Sequence, residues 1–84
     1  MKTHELQFPL ECHFRVIAEC REGMRTEIEA VLRRLGIEAP VERGNVSGKG
    51  RYAGFNFSAA VESREAMQRI DRELRAIQGV RMVL

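Results

Sequence analysis

The chain has 84 residues, 44% hydrophobic and 31% charged, with a formal net charge of +2. That length holds a single domain (1–84) with one core and little room for a deep pocket, and so small a charge implies no nucleic-acid or membrane field by itself. No stretch approaches the roughly 20 apolar residues of a membrane helix. Met1-Lys2-Thr3-His4-Glu5-Leu6-Gln7-Phe8-Pro9 also lacks the apolar run of a secretory signal, so a cytoplasmic address and no membrane partner are expected.

Residues 1–11 read as an N-terminal arm anchored by Phe8-Pro9. Cys12, Phe14, Val16, Ala18 and Cys20 then alternate with His13, Arg15, Ile17 and Glu19. Period two is the mark of a half-buried strand, with the first set inward. Eight residues of strand span about 26 Å, far beyond the Cα separation of a disulfide, which excludes a Cys12–Cys20 bridge. Met24, Ile28, Val31, Leu32 and Leu35 make a helix stripe, Gly36 ends it, and Glu29 and Arg33 sit four apart on the solvent side.

Residues 38–46 fit an edge strand, because Pro40 is poorly tolerated in a central one. Ser47-Gly48-Lys49-Gly50 reads as a turn. Ala53, Phe55, Phe57, Ala59 and Val61 form the inward set of a second long strand, with Tyr52, Gly54, Asn56, Ser58 and Ala60 opposite. Ser63 is suited to cap a helix whose stripe is Met67, Ile70, Leu74 and Ile77, ended by Gly79. Val80 to Leu84 is a short closing strand, with Val80, Met82 and Leu84 inward and Arg81 and Val83 outward. The βαββαβ order predicts an α+β, ferredoxin-like fold: a four-stranded antiparallel sheet, two helices on one face, and strands one and three in the middle.

The chemistry-bearing patterns are sparse. Gly44-Asn45-Val46-Ser47-Gly48-Lys49 has one residue too few for a phosphate-binding P-loop, lacks Ser or Thr after the lysine, and opens a strand. Gly50-Arg51-Tyr52-Ala53-Gly54-Phe55-Asn56-Phe57 is similar to the RNA-stacking strand of an RRM. Parity, however, puts Phe55 and Phe57 in the core and leaves Tyr52 alone outside. An RRM-like RNA-binding domain is therefore an alternative, kept alive by Arg15, Arg51, Arg81 and Tyr52, and nucleic acid is not the expected partner. An acylphosphatase-like hydrolase is a second alternative. It would use Cys20-Arg21-Glu22-Gly23-Met24-Arg25 as an anion cradle with Asn56, although Glu22 would repel the anion. His4, His13, Cys12 and Cys20 have no paired metal-ligand spacing. No catalytic residue, metal or cofactor is assigned, and an enzyme is not expected. The run from Arg64 to Arg75 reads as a solvated helix face, with Glu65–Arg69, Arg69–Glu73 and Asp71–Arg75 spaced for ion pairs.

Phe8-Pro9, Ser47-Gly48-Lys49-Gly50-Arg51-Tyr52 and the closing Val80-Arg81-Met82-Val83-Leu84 carry a resemblance to the YbeD-like family of small bacterial proteins, over nearly the whole chain. Cys12, Cys20 and the loop at Gly23 depart from that pattern. The resemblance implies a ferredoxin-like fold similar to ACT regulatory domains. It also implies a regulatory or interaction role near lipoate metabolism, with a protein partner or a small metabolite bound. ACT domains place ligands at the first strand–helix loop, which points to Gly23 and Arg25. The Lys49, Arg51 and Tyr52 hairpin is a second candidate surface. The third is the sheet face turned away from the helices, with His13, Arg15, Asn56 and Arg81. Self-association through that open face or through the edge strands is a further expectation.

Overall fold

The structure, a computed structural model, describes residues 8–47 and 49–84. Most of the expected arm, His4 and Gly48 of the turn lie outside the described residues. In chain order the elements are β1 (Leu10–Glu19), α1 (Met24–Arg34), β2 (Glu42–Ser47), β3 (Tyr52–Val61), α2 (Arg64–Arg75) and β4 (Val80–Val83). The sheet is antiparallel throughout, in the order β2-β3-β1-β4. The two long apolar strands are thus central, as the sequence predicts; the edge strand expected over residues 38–46 lies at an edge but runs from Glu42 to Ser47, which leaves Pro40 before it and takes in the first residue of the expected turn.

The core follows from parity. β1 and β3 pair without interruption from Leu10 against Val61 to Glu19 against Tyr52. Residues directly opposite share a face, so Phe14, Val16 and Ala18 meet Phe57, Phe55 and Ala53 on the helix side. All six are buried there with Met24, Ile28, Val31 and Leu32 of α1 and Ile70 and Leu74 of α2. The Phe14 and Phe57 rings stack with centroids 4.9 Å apart and planes 16° from parallel. Burial at the central strands is what fixes their register, since a slip of one residue would turn every phenylalanine into water.

The helix ends are set by local chemistry. Gly36 takes the left-handed conformation (φ 82°), and Ile37 N donates to Leu32 O at 2.8 Å, closing α1. Ser63 Oγ accepts from Ala66 N at 3.0 Å and caps α2, as expected. α1 has no side-chain cap; Gly23 stands at its N-cap with φ 89°.

Several expectations need correction. β1 starts at Leu10, inside the expected arm, and ends at Glu19, leaving Cys20 beyond it. Glu29 serves a loop instead of pairing with Arg33: its Oε2 accepts from Val41 N at 3.4 Å. On α2, Asp71–Arg75 is an ion pair (2.9 Å), while Glu73 reaches across the helices to Arg34 (3.1 Å).

The largest correction is in β4. Val83 pairs with Val16 and Met82 with Ile17, but Val80 pairs with Ala18, so Arg81 is an extra residue in a bulge. A bulge resets the alternation beyond it. Val83 is consequently core, at 7% exposure, while Met82 (47%) and Leu84 (64%) are exposed. The set Val80, Met82 and Leu84 does not share a face.

Candidate functional site: the open sheet face

The face away from the helices is built in cross-strand rows. Asn56 pairs with Arg15 on one side and Glu42 on the other, and Arg15 exchanges backbone bonds with Leu84 (3.1 and 2.7 Å). Leu84, Arg15, Asn56 and Glu42 therefore line up across the sheet. A hollow of about 510 Å³ lies over this row and its neighbours His13 and Ser58. His13 Nδ1 and Ser58 Oγ share a hydrogen bond of 2.6 Å. The next row toward β4's start is Met82, Ile17 and Gly54, and the last is Glu19 with Tyr52.

Two arginines lie flat across this surface. A Cβ placed on Gly54 would stand 3.0 Å from Arg15 Nε and 3.3 Å from its Nη2. Arg15 therefore rests on the bare glycine, which is buried beneath it although it belongs to the open face. Arg81 Nη1 donates to Tyr52 Oη at 3.1 Å, and its guanidinium carbon is 5.3 Å from the ring centroid, a cation–π contact. Arg81 is on β4 and Tyr52 on β3, so the side chain crosses β1 to get there.

The ion pairs among the described residues use Arg21, Arg34 and Arg75; neither Arg15 nor Arg81 has a carboxylate partner there. Glu19 pairs with Tyr52, but its carboxylate lies at the end of the sheet. Its Oε1 is 4.0 Å from Arg21 Nε and 3.0 Å from where a Cβ on Gly79 would be.

The other candidate residues sit apart from this face. Gly23 and Arg25 are exposed at the start of α1, in the helix layer. In that loop Arg21 is engaged by Glu27 through bonds of 2.8 and 3.2 Å, and by Gln78 O at 3.0 Å. The hydrogen bond from Arg21 holds the Glu27 carboxyl below its ordinary pKa, and Glu27 raises that of Arg21. Lys49 and Arg51 are exposed at the hairpin, which is tied to the β1–α1 loop by Cys20 N donating to Arg51 O at 2.8 Å. They share the end of the sheet where Arg81 meets Tyr52.

Phe55 and Phe57 are 2% and 4% exposed, beneath the helices. Tyr52 is the one Phe, Tyr or Trp ring on the open face among the described residues, whereas the RRM pattern sets two such rings side by side on that strand. Among those residues no three His, Cys, Asp or Glu side chains gather into a metal-binding group, and no helix is long and apolar enough to cross a membrane. Sequence reasoning missed Glu42, Met82 and Leu84 as members of this face. It named Gly54 as a face residue without a role, yet a glycine inside a strand is itself a sign of close approach by another group.

Two helices on one side of an antiparallel β2-β3-β1-β4 sheet define a ferredoxin-like fold. The chain superposes on the ACT domain from GTP pyrophosphokinase of Chlorobium tepidum with a TM-score of 0.71 and 20% identity, covering 88% of this chain and 94% of that one. It superposes on protein HP0495 from H. pylori with a TM-score of 0.84 and 19% identity, covering 99% and 89%. The chain belongs to the family described as a protein of unknown function, DUF493, which matches residues 3–84. The UPF0250 protein of Shewanella loihica is 35% identical over 86 residues, covering 99% of this chain and 96% of the relative. That of Shewanella frigidimarina is 30% identical over 79 residues, covering 94% and 90%. The YbeD-like resemblance and the ferredoxin-like fold read from the sequence both stand.

Proposed function

We propose that the protein is a non-enzymatic, ACT-like regulatory or interaction module that takes a small metabolite or a protein partner on its open sheet face. The observation that carries this reading is the pair of arginines Arg15 and Arg81, which have no carboxylate partner among the described residues and stand next to exposed Met82 and Leu84. Guanidinium groups with free edges suit forked recognition of oxyanions, and apolar side chains beside them add area to an interface. The non-enzymatic part is supported by the dispersal of the acylphosphatase-like cradle: Arg21 is already held by Glu27, and Asn56 lies on the open sheet face while Arg25 lies in the helix layer.

The test is a pull-down from native lysate, with solution mass measured alongside and bound small molecules released and identified. Three baits are compared: the native chain, an open-face variant (R15Q/R81Q/M82S) and an α1 variant (R25Q). The native chain and R25Q are expected to hold the same companion, and the open-face variant to lose it. A companion that survives on the open-face variant and is lost from R25Q would move the site to the β1–α1 loop and refute this reading. Because the family resemblance points to lipoate metabolism, lipoate belongs in the metabolite panel.

A further inference from the structure

We infer that Arg15 and Arg81 together form a binding site for one oxyanionic group, phosphoryl or carboxylate, of a small metabolite; this rests on the open face being the working surface. The Arg15 guanidinium lies on Gly54 and that of Arg81 at the hydroxyl and ring of Tyr52, and these two residues hold successive open-face positions of β3. Such positions are about 6.6–7 Å apart. One oxyanion between them can accept charge-assisted hydrogen bonds of about 2.8 Å from both.

Each arginine is held in place by something other than an acid: Arg15 by the missing side chain of Gly54, Arg81 by the ring and hydroxyl of Tyr52. Two like charges brought close on one surface repel, and an anion shared between them relieves that repulsion. Glu19 would compete, but its Oε1 lies 4.0 Å from Arg21 Nε and beside Gly79 at the end of the sheet. The ligand's size is limited by acids further along the face. Glu42 lies beside Asn56, and Glu11 pairs with Ala60. A polyanion running along β3 would meet their charges, whereas a single anionic group over residues 52–54 does not.

The experiment titrates the ¹⁵N-labelled full chain with inorganic phosphate, and separately with succinate, at ionic strength held constant with sodium chloride. Saturable shifts are expected at the Gly54 amide and at the Nε–H resonances of Arg15 and Arg81. R15Q and R81Q should each weaken binding at least tenfold. Gly54→Ala, which pushes Arg15 off the sheet, should do the same, while R33Q on α1 should leave it unchanged. The stronger of the two anions identifies the group. Shifts that never saturate, or that persist in R15Q and R81Q, would overturn the site. R15Q and R81Q alter exposed side chains, so their spectra report folding independently of Gly54→Ala. This titration needs no companion from the cell, so its failure is separable from failure of the pull-down.

Discussion

Val83 and Met82 are neighbours in sequence with opposite fates, and the bulge at Arg81 is the reason. Strict alternation gives the reverse assignment, so this pair tests the register directly. Val83→Asp buries an unpaired charge against Val16 and should cost more than about 3 kcal/mol in denaturant unfolding. Met82→Asp should stay within about 0.5 kcal/mol of the native chain. Losses in the reverse order would mean that β4 is not bulged. Phe57 makes a simpler case. Its ring is stacked on Phe14 in the core, and Phe57→Ala is expected to cost about 3–5 kcal/mol by the same measurement. Parity alone identified Phe57 as core, because β3 is uninterrupted from Tyr52 to Val61. Parity failed at Val83 because a bulge leaves no mark in a run as short as Val-Arg-Met-Val-Leu. Nothing in that string says which residue is the extra one.

At the scale of elements, the ends of the helices were written in single residues. Ser63 was expected to cap α2 and does; Ser63→Ala should lower stability by about 1 kcal/mol, read by thermal or denaturant unfolding. Gly36 was expected to end α1 in the left-handed region and does. Charge spacing was a poorer guide, because a long side chain is free to choose a partner outside its own helix. Glu73 prefers Arg34 on α1, and Glu29 prefers the backbone of Val41. The tie between Arg21 and Glu27, joining the β1–α1 loop to the first turn of α1, was not foreseen for the same reason: the two are six apart, across the left-handed Gly23, and match no helical spacing. Glu27's folded value lies below its unfolded one, so its contribution is complete above the unfolded value and is lost as pH falls through the folded one. In a carboxyl titration followed by NMR, the Glu27 midpoint should be lower in the native chain than in R21Q. Equal midpoints would show that the pair does not persist in solution.

For the molecule as a whole, the fold was legible because hydrophobic periodicity is strong in β1, α1, β3 and α2, and their order admits few arrangements. The site was legible only in pieces. Arg15, Tyr52, Asn56 and Arg81 were all named, but their grouping depends on strand order and register, which bring three strands distant in sequence side by side. Side-chain direction added the rest: Arg81 crossing a strand to Tyr52, and Arg15 lying down on Gly54, follow from three-dimensional packing that no spacing rule encodes. The loop at Gly23 and Arg25, suggested by the ACT resemblance, is the one candidate that the topology leaves in the helix layer.

The two outer strands bear on how many molecules can join. β2 loses its regular pairing between Arg43 and Val46, and β4 is four residues long with an extra residue in its middle. Neither rim offers the straight ladder of free amides and carbonyls on which another polypeptide could zip up. Crowded or gently warmed samples should accordingly stay clear in light scattering and resist growing into filaments.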